Sequence, residues 1–359
     1  MGPLSRAVHI DGWFDVENTR CSYRIAVLVL SIWVLLVGCG GDSSSAPKEP
    51  AAAWMEASSA AEAGWSTAKL AEARTLYDGL ESAALMVVED GRIVVSWGQV
   101  ERRLFIHSVR KSLLSALIGM YVEEGRIDLD KRLVDLGIDD SPDGLTAAEK
   151  QARVVDLLQA RSGVYHLSAS QSESARAGLP ERGSHAPGTF FYYNNWDFNA
   201  LGTIFEQETG TKIFEAFQRR LAGPLEMEHF RLQNTLYDYE EQYSQHPAYH
   251  FELSARDMAR FGLLYLRGGR WKDTQVVPES WVQESTTAYS WVDDSVGYGY
   301  MWWVVKDSSF LALGFGGQII EVLPAEKLVL VYRVDTDAGD RVSTEDYYRL
   351  QALVRAARP

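Results

Sequence analysis

The chain has 359 residues, 46% of them hydrophobic, and a formal net charge of −14. That is enough apolar material for a sizeable core in one or two domains. The acidic balance, with no run of Lys and Arg, argues against nucleic acid as a partner. No Cys-x-x-Cys occurs and the seven histidines are scattered, so no metal or cofactor is expected. The absence of a Gly-x-Ser-x-Gly elbow argues against an α/β-hydrolase triad.

The first landmark is Ile25 to Gly38, fourteen nearly uncharged residues between Arg24 and Cys39. This is short for a membrane span and right for the apolar part of a signal peptide. It ends in Leu36-Val37-Gly38-Cys39, which resembles the lipobox of bacterial lipoproteins. That resemblance implies a signal peptide over 1–38, cleavage before Cys39, and a lipid on Cys39. The alternative is a transmembrane anchor; in both cases the folded part lies outside the cytoplasmic membrane. Met1 to Arg20 contains Asp11, Asp15 and Glu17, which signal peptides avoid, so translation is expected to start further downstream. With Cys39 lipidated, the mature chain has no disulfide.

Residues 39–64 are rich in Gly, Ser, Pro and Ala and read as a flexible tether, leaving 65–359 for the folded domain. Trp65 to Ser82 is an expected helix. Ala83 to Val88 and Arg92 to Trp97, joined through Asp90-Gly91, make a β-hairpin. A central helix follows from Ser108 to Glu124. From about 126 to 245 helical patches recur without a convincing strand pair: Thr146 to Ala160, Trp196 to Thr209 and Ile213 to Leu221. Leu253 to Leu266 is a further helix. Tyr298 to Val305, Phe310 to Leu313, Gln318 to Leu323 and Leu328 to Val334 read as an antiparallel meander turning at Pro324. Thr344 to Ala357 closes the chain as a helix. Strands from both ends around a helical block give an α+β fold: an antiparallel sheet flanked by helices, with an all-helical insertion at about 126–245.

The chemistry centres on Ser108-Val109-Arg110-Lys111. Three residues apart on a helix, Ser108 and Lys111 share a face. The helix behind them is apolar nearly all round, so it reads as buried. A buried lysine loses its charge readily and can take the serine proton. Two other Ser-x-x-Lys matches exist, Ser45 to Lys48 and Ser66 to Lys69; only the third precedes a wholly apolar helix. A second signal is Pro187-Gly188-Thr189-Phe190-Phe191-Tyr192-Tyr193-Asn194-Asn195. A phenol near the Ser–Lys pair could relay a proton, and a carboxamide could orient a substrate amide. Two registers fit, Tyr192 with Asn194 or Tyr193 with Asn195.

With these motifs the chain resembles the serine hydrolases related to class C β-lactamases and penicillin-binding proteins. In that family a Pro-Gly-x-x-Phe-x-Tyr-x-Asn pattern runs into a helix carrying Leu-Gly, here Leu201-Gly202, which selects Tyr193 and Asn195. Arg161-Ser162-Gly163-Val164, Gly223-Pro224-Leu225 and Gly297-Tyr298-Gly299-Tyr300 match in order. The resemblance implies a β-lactamase/transpeptidase-like fold, with Ser108, Lys111 and Tyr193 catalytic and Asn195 on the substrate. The family's third motif, often Lys-Thr-Gly or His-x-Gly, is replaced by Gly314-Phe315-Gly316-Gly317-Gln318. Gly316, Gly317 and Gln318 are therefore the expected substrate strand, without the cation that grips a carboxylate.

The reading is a lipid-anchored envelope hydrolase that cleaves short neutral esters or amides through an acyl-enzyme. A D-amino-acid peptidase or β-lactamase is the alternative within the class, and a ligand-binding lipoprotein without catalysis is the alternative outside it.

Overall fold

The computed structural model describes residues 59–359. The proposed signal segment, Cys39 and most of the proposed tether lie outside the described residues. The folded unit starts slightly before the expected boundary. Residues 60–64 form a turn closed by Trp65 N–H to the Ala60 carbonyl at 2.9 Å, and Trp65 is buried.

The first helix is Thr67–Asp78. Its cap is Ser66, whose hydroxyl accepts from the Lys69 N–H. This second Ser-x-x-Lys match is thus a helix cap, satisfying one of the free N–H groups every helix start leaves. The hairpin Ser82–Glu89 and Arg92–Gly98 then forms two strands of an eight-stranded antiparallel sheet. From one edge the order is Arg92–Gly98, Ser82–Glu89, Leu328–Val334, Gln318–Leu323, Ser309–Gly314, Trp303–Val305, Val296–Tyr298 and Ser290–Trp291. Ser82–Glu89 pairs with Leu328–Val334, so the two ends of the chain close one sheet.

Both faces of this sheet are covered. Tyr332 packs against Tyr347 of the last helix, Thr344–Ala356. Val329, three residues away and so on the opposite face, lies against Gly262 of helix Ala255–Leu266. The central helix, Val109–Glu123, is buried from Val109 through Tyr121. Its backbone is pressed against Trp281, since a Cβ at Gly119 would lie 2.2 Å from that ring.

The chain differs from expectation in three places. Thr146 to Ala160 is one helix on periodicity, but the chain breaks at Ala152 into a 3-10 turn, Glu149–Gln151, and a short helix, Val154–Leu158. Arg153 accounts for the restart: its extended backbone and the Asp156 carboxylate form a local cap. Thr235–Asp238 is a strand, paired with Ala248–Leu253, which in turn pairs with Leu104–Phe105. Thr235–Asp238 and Leu104–Phe105 are too short to carry a period of their own, so local periodicity does not reveal them. The expected strand Tyr298 to Val305 is two strands, interrupted by a turn at residues 299–302 where a Cβ on Gly299 would lie 2.2 Å from the Ser285 carbonyl.

Candidate active site

Ser108 caps the central helix by position, yet its side chain makes no capping hydrogen bond. Its hydroxyl lies 2.8 Å from Lys111 Nζ instead. This contrast with Ser66 separates the two Ser-x-x-Lys motifs: one serine serves the backbone, the other faces an amine. Lys111 Nζ also lies 2.7 Å from the Tyr193 hydroxyl and 2.9 Å from Asn195 Oδ1.

Burial holds the Lys111 pKa well below its ordinary value, and the neighbouring Arg110 charge adds to the effect. A neutral amine has two N–H groups and one lone pair. Nζ stands as donor to all three oxygens; once the amine is neutral, its two N–H groups can stay on Tyr193 and Asn195 and its lone pair face the Ser108 hydroxyl. The Tyr193 and Phe198 rings flank the amine, with centroids 4.5 and 4.7 Å from Nζ. Tyr193 stacks on Trp303 at 5.5 Å and meets Tyr298 edge-on at 5.9 Å. Burial pushes its phenol up to about 12, partly offset by the Ser108 hydrogen bond, so it remains protonated and can pass a proton on.

The chain around Tyr193 explains why one register faces the amine. Asn194 is the cap of helix Asn195–Thr209; its Oδ1 accepts from Trp196 N–H, and its Nδ2 donates to the Val164 carbonyl and to Asp197. Asp197 is buried and accepts from the Ser162 hydroxyl at 2.5 Å, which ties in the Arg161-Ser162-Gly163 segment. Tyr192 turns the other way, toward the Ala175 carbonyl. Tyr193 and Asn195 are left on the Lys111 side.

The glycine strand lies next to the serine. A Cβ at Gly314 would sit 2.4 Å from the Ile106 carbonyl, so only glycine lets the strand end approach the backbone entering Ser108. Gly316 and Gly317 have φ of +77° and +103°. Gln318 does not share this setting. Its amide is buried, donating to the Val334 carbonyl and accepting from Arg333 Nε at 2.6 Å, so it braces the sheet.

The strand is also less isolated from positive charge than its sequence implies. Arg341 lies over the Phe315 ring, 4.4 Å from its centroid, with Nη1 donating to the Thr336 and Asp340 carbonyls. Distant in sequence, it gave no local signal. His107 precedes the serine at a φ of +48° and bonds Thr336 through Nε2. Burial and the surrounding Arg341, Arg333 and Arg110 charges lower its pKa to about 3; its imidazole is neutral and belongs to the wall. Of two adjacent tryptophans, Trp303 stacks on Tyr193, while Trp302 packs into the core against Phe261 and Tyr265. The histidines are not all scattered, contrary to expectation: His246 and His250 form a His-x-x-x-His spacing. Those rings diverge, His246 to Thr203 and the Asp139 carbonyl, His250 to Ser170. Among the described residues no group of three His, Cys, Asp or Glu could hold a metal ion.

An α+β fold with helices on both faces of one antiparallel sheet, and a Ser–Lys–Tyr cluster beside it, defines the class, and comparison with known proteins agrees. The beta-lactamase family model matches residues 68–354, and the chain belongs to that family of hydrolases. Among solved structures, a Bacillus anthracis protein named as a 6-aminohexanoate-dimer hydrolase is similar with a TM-score of 0.62 at 21% identity, covering 79% of this chain and 80% of that one. A protein from Bacteroides dorei named as a beta-lactamase has a TM-score of 0.62 at 16% identity, over 82% and 99% of the two chains. A penicillin-binding protein from Bacillus halodurans has a TM-score of 0.59 at 18% identity, over 79% and 98%. At these identities the likeness is one of fold. Among curated proteins, none matches.

Proposed function

We propose that the protein is a serine hydrolase that cleaves short esters or amides through an acyl-enzyme. The observation carrying this reading is the Lys111 amine, buried and within 2.9 Å of Ser108, Tyr193 and Asn195 oxygens at once. Ser108 Oγ attacks the carbonyl as Lys111 takes its proton. Tyr193, bonded to the same amine, passes a proton to the departing atom. Asn195 orients the acyl side. The helix N-terminus at Ser108 and the backbone of the glycine strand favour the oxyanion. Water then releases the acid by the same proton route.

Open-chain esters and amides are favoured over β-lactams. A bicyclic β-lactam sets its carboxylate beside the scissile bond, and the strand Gly314 to Gln318 supplies no cation there; Arg341 reaches the strand from outside and is engaged with two carbonyls. One structural neighbour is named for hydrolysing a 6-aminohexanoate dimer, an analogy in the same direction. The test is kcat/KM for p-nitrophenyl butyrate, nitrocefin and a D-Ala-D-Ala peptide on one preparation. The ester is expected to lead. A nitrocefin or peptide value at or above it would transfer the reading to a β-lactamase or D-amino-acid peptidase. We also infer, from the lipobox, that Cys39 anchors the enzyme in the cell envelope, on the periplasmic side of an outer membrane or the outer face of the cytoplasmic membrane.

A further inference from the structure

The central helix carries a second cation next to its lysine. Arg110 and Lys111 are each only 2% exposed. The Arg110 guanidinium lies 4.4 Å from the centroid of the Tyr249 ring, on strand Ala248–Leu253. Its Nη2 donates to Asn199 Oδ1 at 3.3 Å, on helix Asn195–Thr209. Asn199 is held in that orientation, because its Nδ2 donates to the Ala169 carbonyl at 3.0 Å. Nη1 is buried with no hydrogen-bond partner, and among the described residues no carboxylate pairs with Arg110. The other arginines buried as deeply are engaged: Arg260 pairs with Glu228, and Arg333 donates to oxygens of Gln318, Leu253 and Leu104.

An unpaired buried charge is among the most expensive groups a core can hold. A leucine or methionine would fill the same space at less cost. Arginine cannot escape by losing its proton, so the charge stays. The groups around it are neutral. Burial pushes the Tyr193 and Tyr249 phenols up to about 12 and Tyr298 higher still. Burial lowers His107 to about 3 and holds His250 well below its ordinary value. Asp197 turns to Ser162 and Asn194, and Arg333 and Arg341 bear on His107. Lys111 is the group left for the Arg110 charge to work against. The two are consecutive residues in a dry interior, where charges interact strongly. Burial comes first in loosening the lysine proton, and Arg110 second. The same charge also bears on the Tyr193 phenol.

We propose that Arg110 is a positioning residue of the active site: its fixed, unpaired charge keeps the Lys111 amine in its proton-accepting form. The assignment rests on the acyl-enzyme reading for what that amine does, and goes beyond it in naming what holds the amine ready. Two adjacent buried cations repel, and only one of them can yield. Arginine stays charged, so the lysine gives up its proton. Asn199 and Tyr249, which flank the guanidinium, are fully buried, so Arg110 acts through Lys111 and not on a substrate. The strand Gly314 to Gln318 brings no cation of its own; the positive charge at this site comes from the helix instead.

The test follows the acid limb of kcat/KM for p-nitrophenyl butyrate. Without a positive neighbour Lys111 holds its proton to higher pH. In Arg110→Gln the limb should therefore move up by about one pH unit, a tenfold loss at a pH on the limb. Arg110→Lys should restore part of the shift. Asn199→Asp sets a carboxylate against the guanidinium and leaves Arg110 in place. It should move the limb in the same direction, and it carries the test where Arg110→Gln does not fold. A loss that is uniform in pH, with the limb unmoved in both variants, would overturn the proposal and leave Arg110 a packing residue. The carbon-13 shift of Lys111 Cε, in lysine-labelled protein and assigned by its loss in Lys111→Arg, follows the same titration without a substrate. A titration that moves up in Arg110→Gln or Asn199→Asp supports the proposal even where no ester is cleaved, a result that would defeat the acyl-enzyme reading alone. A titration unmoved in both variants would overturn the proposal whatever the activity.

Discussion

Protonation of Lys111 decides whether Ser108 can lose its proton. Burial lowers the folded pKa below the ordinary 10.5, while the unfolded chain keeps that ordinary value. The native state therefore binds fewer protons between the two values, and this residue's cost to stability shrinks as pH rises toward 10.5. Activity follows the folded value: it is expected to fall as pH drops through it, because a protonated amine accepts nothing. Lys111→Ala should lose about 10²–10⁴-fold in rate, the usual range for a general base. Lys111→Arg should not recover it, since arginine stays charged. His107 titrates near 3, so the acid limb of kcat/KM should persist in His107→Asn. An active Lys111→Arg variant, or a limb that vanishes with His107, would move the base elsewhere.

Two adjacent asparagines divide the work at the start of helix Asn195–Thr209. Asn194 caps it and holds Val164 and Asp197, whereas Asn195 meets the amine. Asn194→Ala should lower Tm, by the loss of a cap worth about 0.5–2 kcal/mol. Asn195→Ala should lower kcat/KM with little change in Tm. The reverse pattern, read by calorimetry and ester kinetics, would exchange their roles. This helix was legible from its period and cap, the central helix from its unbroken apolar run, and the hairpin and last strands from apolar runs bounded by turn residues. The Tyr-x-Asn register was open from the residues alone, since both readings have the right side chains; the carbonyl and carboxylate partners that hold Asn194 come from other elements. The same holds for Arg341 and for the neighbours of Arg110. Each reaches its place through tertiary packing that local spacing does not encode, whereas the Thr235–Asp238 strand was missed because four residues are too few to show a period.

The whole molecule is closed by its two ends. Ser82–Glu89 pairs with Leu328–Val334, and Arg333, buried in that second strand, donates to the Leu104 and Leu253 carbonyls. The strand Gln318–Leu323 and the entry to Ser108 are thereby braced by one buried guanidinium. Lipidation at Cys39 is tested by labelling with an alkyne fatty acid. Label is expected on the wild type and not on Cys39→Ser; label persisting in the variant would contradict the anchor.

The account turns on Ser108 as the nucleophile. Reaction with a fluorophosphonate followed by peptide mass spectrometry measures this directly. A single adduct on the peptide holding Ser108, absent from Ser108→Ala and strongly slowed in Lys111→Ala, is the predicted result. No adduct on the folded wild-type protein, or an adduct that survives Ser108→Ala, would contradict it.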